Sequence, residues 1–571
     1  MKKIEKNVPH ARTIRAISKY NEINRGDKVA FKYLGANKEI VEVTFSQYSE
    51  NVENMICAIR KEGFVGKRFA LIGETCPEWL ESYYAVISAG SVVIPFDKEL
   101  AYEQIRGFLD IAEANAIIMS PKYSQKYEEM NAAGVFDNLE LVIRIDDGTE
   151  WTIDDEKLVK FSEFVKLGEG EERDSDADIM RKVARDDMSI MLFTSGTTGT
   201  SKCVMLSERN QIACVRSAVR ATDFYEYDEL LSVLPIHHTY ELTINVAIQS
   251  LGASVCINDS LKNVVKNLKI FKPTGIVIVP LFATTFQKKI LDEVKKKGKE
   301  TSLKLGMAAS NAIRSVGFDM RRKLFSEILA AFGGNLKKII CGGAAMNPEL
   351  MKFFDNLGIT LCEGYGITEC SPLIAVNPYY ARKKGSVGPA CDCCEARIDA
   401  EEVDENGNLT GEIQVRGENV MLGYYKNPEA NAEVFTEDGW FRTGDIGHMD
   451  KDGYLYITGR CKSVIVLENG KNVFPEEIEE YLEEISEIAE CVVVGRKKEG
   501  AEEVVLTAVV YPDFNAYEKN TDIGDIAADI KGKVMALNKK LPSFKQIRNI
   551  EIRKTEFEKT TTRKIKRFLV K

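Results

Sequence analysis

Short apolar runs alternate with longer helical patterns through about the first 450 residues, a rhythm that points to an α/β architecture. One such unit is Arg68-Phe69-Ala70-Leu71-Ile72-Gly73, a helix opened by Pro77, then Ser91-Val92-Val93-Ile94-Pro95. A second reads as a strand over 336–341, with Asn347 as a helix cap and Pro348 at the first helical position. That helix carries Leu350, Met351, Phe353, Phe354 and Leu357 and stops at Gly358. The polar, acidic stretch 168–187 reads as a surface loop. From about Gly459 the texture changes to an acidic helix over 476–485 and strands over 491–494 and 504–510. A helix over 526–541 and a strand over 547–552 follow. With 571 residues the chain is too long for one ordinary core. It divides into a large unit, 1–459, and a compact α+β unit, 460–571.

Composition narrows the class. The hydrophobic fraction of 44% and charged fraction of 29% suit a globular protein. A net charge of -10 leaves no global basic field to gather nucleic acid. The start, Met1-Lys2-Lys3-Ile4-Glu5, lacks the apolar stretch of a secretory signal. The longest apolar run, 83–96, is interrupted by Ser88, Gly90 and Ser91 and is too short to span a bilayer. The 13 cysteines are an odd count without that signal, which argues for reduced thiols and a cytoplasmic protein. Cys391, Cys393 and Cys394 cluster tightly, yet structural zinc wants paired ligands at wider spacing. None of the 4 histidines (His10, His237, His238, His448) lies near that cluster in sequence.

The most informative segment is Met191-Leu192-Phe193-Thr194-Ser195-Gly196-Thr197-Thr198-Gly199-Thr200-Ser201-Lys202. An apolar strand runs into two glycines and a run of hydroxyls, and then a lysine. Glycines let backbone N–H groups turn toward an anion, hydroxyls add donors, and lysine supplies charge. That chemistry suits a polyphosphate. It is not a Walker A loop, because Ser201 rather than glycine precedes the lysine.

Here the sequence resembles the adenylate-forming superfamily of acyl-CoA synthetases, peptide-synthetase adenylation domains and luciferases. The family's signature loop reads Thr-Ser-Gly-Thr-Thr-Gly-x-Pro-Lys-Gly, and 194–203 match it with Ser201 for the proline and Cys203 for the last glycine. The resemblance implies that Thr194, Ser195, Gly196, Thr197, Thr198, Gly199 and Lys202 bind the phosphates of ATP. Gly364-Tyr365-Gly366-Ile367-Thr368-Glu369 is similar to the next motif. By that likeness Tyr365 and Gly366 adjoin adenine, Thr368 holds the α-phosphate, and Glu369 holds Mg²⁺, a hard cation that takes oxygen ligands. Gly342-Gly343-Ala344-Ala345 resembles the segment lining the adenine pocket, which adds Gly343 and Ala344.

Trp440-Phe441-Arg442-Thr443-Gly444-Asp445 resembles the motif whose aspartate accepts both ribose hydroxyls. Gly459-Arg460-Cys461-Lys462 is similar to the family's hinge, so Arg460 would contact the nucleotide and Lys462 would be the pivot. The tail 559–567 resembles the final motif and implies Lys564 as the catalytic lysine, with Arg563 where the family has glycine. Leu234-Pro235-Ile236-His237-His238-Thr239-Tyr240-Glu241 resembles a motif of long-chain acyl-CoA synthetases, and His238 is the matching histidine near the acid pocket. Amino-acid-activating relatives carry an aspartate about where Ile236 lies, so an acid without an amino group is implied.

The fold so implied is α/β: a large, multi-layered N-terminal domain and a small, mobile α+β C-terminal domain. The closest resemblance is to bacterial long-chain fatty acid–CoA ligases. Their reaction makes an acyl-AMP from a fatty acid and ATP, then rotates the small domain and passes the acyl group to CoA, with 467–471 lining the thiol's channel. An acyl carrier protein is the alternative acceptor, and a non-catalytic nucleotide-binding protein a remoter alternative. The insertion 295–334 carries Leu303, Met307, Ile313, Val316, Leu324, Phe325, Ile328 and Leu329, an apolar helical side. That side suits packing on its own domain or, helped by Lys295, Lys296, Lys297 and Lys299, peripheral contact with a membrane.

Overall fold

The computed structural model describes residues 12–145, 155–194, 201–403, 407–467, 472–497, 504–518, 521–560 and 565–570. The chain forms two compact units. The first comprises Met1–Gly343, Pro348–Glu395 and Val415–Phe441; the second comprises Ala344–Asn347, Ala396–Gln414 and Arg442–Lys571.

The first unit holds two eight-stranded sheets. One has the spatial order Leu373–Val376, Thr360–Gly366, Lys338–Gly342, Gly275–Ile278, Glu229–Ser232, Ser254–Ile257, Val29–Leu34, Ile40–Thr44. Its inner strands run parallel and its two edges pair antiparallel. Parallel strands covered by helices read as continuous apolar runs, and Ile276, Val277 and Ile278 are fully buried. Strand Glu229–Ser232 leads through a helix to Ser254–Ile257 on one side, whereas its other neighbour is Gly275–Ile278. The order of connection therefore reverses there, and open α/β sheets bind ligands outside the carboxyl ends of their strands near such a point.

The second sheet of this unit runs Gly423–Tyr424, Lys202–Ser207, Met188–Thr194, Val92–Phe96, Arg68–Ile72, Ala116–Met119, Leu141–Arg144, Leu158–Lys160. The strand before the hydroxyl-rich loop buries Ile190, Met191 and Leu192, each contributing about 1.5–3 kcal/mol. Helix Glu208–Ala221 begins where Ser207 Oγ accepts the Asn210 N–H and Asn210 Oδ1 accepts the Ser207 N–H, a reciprocal cap. It packs on helix Thr239–Ser250.

Two expectations need correction. The stretch 168–187 is not wholly loop: Asp176–Arg181 is a helix capped by Ser175, and Ile179 is buried. Its acidity misled because Asp174 is consumed internally, paired with Arg15, Arg60 and Lys182. In the insertion, helix Glu300–Ser315 turns Leu303 inward and joins helix Pro348–Asn356 through Asn311 to Asn356 and Arg314 to Asp355, at 2.9 and 2.8 Å. Phe325 and Leu329 are buried as well. Yet Leu305 and Val316 are 66% and 71% exposed, Phe318 is 69% exposed, and Ile313 and Leu324 also face solvent. The apolar set thus splits between a packed side and an open one.

In the second unit, 396–403, 409–414, 442–449 and 454–460 lie in one sheet, with Phe441–Met449 and Tyr454–Arg460 antiparallel. A three-stranded sheet of Ile488–Lys497, Val504–Pro512 and Asn549–Ile552 packs with helices Pro475–Glu483 and Ile523–Asn538 around Ile478, Leu482, Ile530 and Val534. Among the described residues no helix is long and apolar enough to cross a membrane.

Candidate active site

Strands Met188–Thr194 and Lys202–Ser207 form an antiparallel pair whose register puts Thr194 opposite Lys202. Thr194 Oγ1 donates to the Lys202 carbonyl at 3.4 Å. The hairpin therefore brings both ends of the hydroxyl-rich loop together, while Ser195, Gly196, Thr197, Thr198 and Gly199 lie outside the described residues.

The lysine leads to the next motif through a residue that the sequence did not single out. Lys202 Nζ stands 4.6 Å from the centroid of the Tyr424 ring, a cation–π contact. The Tyr424 hydroxyl donates to Glu369 Oε1 at 2.9 Å. Burial and the adjacent Glu369 carboxylate push the Tyr424 phenol well above its ordinary pKa, so it stays a donor. Its position follows from backbone pairing of Gly423–Tyr424 with Val204 and Met205, and from Asn431 Oδ1 accepting the Tyr424 N–H at 2.7 Å.

Thr368 and Glu369 sit on the short 3₁₀ turn Thr368–Cys370, directly after strand Thr360–Gly366. The chain doubles back there, and the Ile367 N–H donates to Pro372 O at 2.9 Å. A Cβ on Gly366 would lie 1.9 Å from that same oxygen, so only glycine fits. The carbonyl of Glu369 accepts the Met421 N–H at 2.8 Å, which fixes the turn from its other side.

Beside this turn lies a narrow cavity of about 60 Å³ at the carboxyl ends of strands Lys338–Gly342 and Thr360–Gly366. Gly342, Gly343, Tyr365 and Gly366 line it from those ends, Tyr240, Thr243 and Ile244 from one helix, and Ala218 and Thr222 from its partner helix. Ile340, Leu373 and Val376 complete an almost wholly apolar wall in which no lining residue bears a charge. Gly343 and Tyr365, expected at one nucleotide pocket, thus meet at the same cavity.

His238 caps the N-terminus of helix Thr239–Ser250, whose Tyr240 and Thr243 face that cavity. Its ring centroid is 4.1 Å from that of His237. Burial, with Lys98 nearby, pushes His237 down to about 3, so that imidazole stays neutral at physiological pH. Below them Glu241 is fully buried, and its Oε1 accepts from the Ser232 hydroxyl and the Asn245 amide. Burial pushes its pKa up to about 7 against those donors. The glutamate of that motif therefore braces the turn that presents His238. Glu241→Ala is expected to destabilise the first unit by about 3 kcal/mol, because two buried donors lose their acceptor. A lower thermal-unfolding midpoint would show it; an unchanged midpoint would contradict the brace.

In the second unit, Asp445 and Arg460 are opposite each other across strands Phe441–Met449 and Tyr454–Arg460. Arg460 Nε meets Asp445 Oδ1 at 3.0 Å, and Asp445 is buried whereas the arginine is half exposed. Thr443 Oγ1 accepts the Asp445 N–H at 3.1 Å and donates to Ile413 O at 2.7 Å, which fixes the motif's bend. Lys462 lies exposed on the turn Cys461–Ser463. Ala344, also exposed, is counted with this unit. Lys564 lies outside the described residues. Its neighbour Ile565 bridges Lys559 and packs on Val492, Val509 and Phe557, which anchors that end of the segment.

An open α/β sheet with a cavity at its carboxyl edge, beside a carboxylate-bearing turn, defines a ligand-binding protein of the α/β class. The chain belongs to the AMP-binding enzyme family, the adenylate-forming superfamily that its motifs resemble: the family model matches residues 21–425. A model of the AMP-binding enzyme C-terminal domain matches residues 462–570. A long-chain-fatty-acid–CoA ligase, FadD15, of Mycobacterium bovis is 28% identical over 548 residues, covering 88% of this chain and 86% of that one. An indoleacetate–CoA ligase of Aromatoleum aromaticum is 29% identical over 506 residues, covering 86% and 87%. The crystal structure of the anthranilate CoA ligase AuaEII with anthranoyl-AMP has the same fold, with a TM-score of 0.77 at 19% identity over 99% of this chain and 97% of that one. These relatives are acid–thiol ligases, and the fold they share is the one expected from the sequence.

Proposed function

We propose that the chain activates a medium- or long-chain fatty acid as its acyl-AMP, releasing pyrophosphate, and then passes the acyl group to the thiol of CoA. The observation that carries this reading is the uncharged, largely apolar cavity that abuts Tyr365 and Gly366. A fatty carboxylate would set its first few carbons in that small cavity, beside Ala218, Ile244 and Leu373, and turn its head group toward Thr368 and Glu369. Ile236 is buried where amino-acid-activating relatives place an aspartate, so nothing at that position pairs an ammonium. The relatives' names, fatty acid–CoA ligase and indoleacetate–CoA ligase, agree on an acid and CoA and differ on the acid.

In the reaction, two anions must approach at the α-phosphate, so positive charge and donors are needed there. The hydroxyls of 194–200 and Lys202 would hold the departing pyrophosphate, Thr368 the α-phosphate, Asp445 the ribose and Lys564 the developing charge. Glu369 suits Mg²⁺, which takes one or two protein carboxylate oxygens and otherwise keeps waters and phosphates. One Glu369 oxygen accepts from Tyr424, which orients the carboxylate for that task. Mg²⁺ would supply neutralising charge to the phosphates. Tyr424→Phe keeps the ring beneath Lys202 and removes this donor. It is expected to lower the adenylation rate about tenfold, the value of one charge-assisted hydrogen bond. A rate unchanged in single-turnover acyl-AMP formation would refute the role.

A thiol must then reach the same carbonyl. The proposed route is rotation of 460–571 about Lys462, which withdraws Lys564 and admits 467–471. Lys462→Pro is expected to leave acyl-AMP formation intact and to cut thioester formation about a hundredfold, since a misplaced group of 1 Å already costs that much. Retention of full overall turnover would sink the pivot. The exposed Leu305, Val316 and Phe318, with Lys295 to Lys297 and Lys299 near in sequence, support contact with a lipid surface that delivers the acid.

The deciding experiment is ATP–pyrophosphate exchange over a ladder of carboxylic acids, repeated with CoA and with acyl carrier protein as acceptor. Exchange that rises with chain length, and product with CoA, are expected. Phosphate release in place of pyrophosphate would overturn the reading.

A further inference from the structure

Four cysteines gather behind one wall of the cavity. Cys214 lies on helix Glu208–Ala221, one turn before Ala218 and two before Thr222, both of which line the cavity. Cys391, Cys393 and Cys394 come from a turn in which the Cys394 N–H donates to Cys391 O at 3.0 Å. The Cys391 N–H donates to Ile374 O at 2.8 Å, so that turn is tied to the strand bearing Leu373 and Val376. The thiols of Cys214 and Cys393 converge on one atom, the Leu373 carbonyl oxygen, at 3.9 and 4.0 Å. They also share one buried cluster with Cys391 and Val376.

Among the described residues no group of three or more His, Cys, Asp or Glu side chains is arranged to hold a metal ion. The geometry serves sulfur–sulfur chemistry instead. We propose that Cys214 and Cys393 are an oxidation site at which hydrogen peroxide forms a disulfide, tying helix Glu208–Ala221 to the turn 391–394.

The step balances. The Cys393 thiolate attacks one peroxide oxygen, the O–O bond breaks, and the second oxygen leaves as water after taking a proton. The resulting Cys393 sulfenic acid is attacked at sulfur by Cys214; the S–O bond breaks, and the hydroxyl leaves as water with the Cys214 proton. Two thiols are oxidised and one peroxide is reduced. Cys393 is the first to react for two reasons. It sits on the surface turn, where it is 8% exposed against 0% for Cys214, beside the half-exposed Asp392. Full burial also pushes the Cys214 thiol well above its ordinary pKa, so Cys214 is the poorer source of the nucleophilic thiolate.

A disulfide requires the sulfurs to close to about 2.05 Å, so the helix and the turn must draw together. Ala218 faces the cavity from that helix, and Leu373 faces it from the strand to which the turn is tied. Resting on the acid-activating function proposed above, oxidation is expected to slow exchange with long acids more than with short ones.

The test is non-reducing peptide mapping of the full chain after hydrogen peroxide, with exchange assayed in parallel. The expected result is a species lighter by two hydrogens, a linked pair of peptides bearing Cys214 and Cys393, and reversal by dithiothreitol. Cys214→Ser should abolish the linked pair. A Cys393–Cys394 link, or oxidation confined to Cys461, would overturn the site. The link with exchange unchanged at all chain lengths would overturn its coupling to the cavity. Because the mapping needs no turnover, a chain that forms the link yet exchanges no acid would refute the proposed function and leave the site standing.

Discussion

Replacing Lys564 by alanine is expected to lower acyl-AMP formation by about 10²–10³-fold, the usual loss when one preorganised charge is removed from an oxyanion-type site. Thioester formation from supplied acyl-AMP should survive, because in the proposed role the lysine acts only while the α-phosphate carries its developing charge. The split between half-reactions is the informative part. Two separate assays, pyrophosphate release from ATP and CoA consumption with synthetic acyl-AMP, would reveal it. Equal damage to both would mean that Lys564 serves the fold of its segment instead of the first step. That alternative is limited by the neighbouring contacts: Ile565 and Lys559 already bridge, and Lys559 pairs with Glu490 and Glu556.

Gly366→Ala is expected to have a comparable effect for a different reason. The added Cβ would fall 1.9 Å from Pro372 O and 2.7 Å from Pro372 C, both backbone atoms that cannot swing aside. Relief demands that the turn carrying Thr368 and Glu369 open by about 1 Å or more, and a shift of that size costs about 10²-fold in rate. The Ile367 to Pro372 hydrogen bond at 2.9 Å would be strained with it. Adenylation should therefore fall about a hundredfold in a protein that still folds, because its core elsewhere is untouched. Circular dichroism and the unfolding midpoint would establish folding, and single-turnover acyl-AMP formation the loss. A folded variant with wild-type rate would show that the turn has more room than the structure gives it.

The parts of the site written in contiguous residues were legible before any fold was known. The apolar strand leading into Thr194, and Lys202 just beyond, read directly as a strand, a loop and a cation, and the two are paired across a hairpin. Gly364 to Glu369 were legible as a motif alone, and the structure places them at a strand end and on the turn that follows. Tyr424 did not, since it reaches Glu369 from 55 positions away on a strand of two residues. A pair so short has no period to detect, and its placement comes from tertiary pairing with Val204 and Met205. The cavity was illegible for a related reason: Ala218 and Thr222 look like any small positions of a helix until the sheet's carboxyl edge is set against them. The segment 168–187 failed through composition, because its acidity hid a short capped helix and an Asp174 that is spent on Arg15 and Arg60.

Strand Lys202–Ser207 sits at the junction of these parts. It supplies the lysine at its first residue, and two residues further on it seats the tyrosine that grips Glu369. If Lys202 holds a phosphate as proposed, a tug on it would pass, as along a short axle, to the orientation of the carboxylate. Departure of one product would then be sensed at the turn that must release the next.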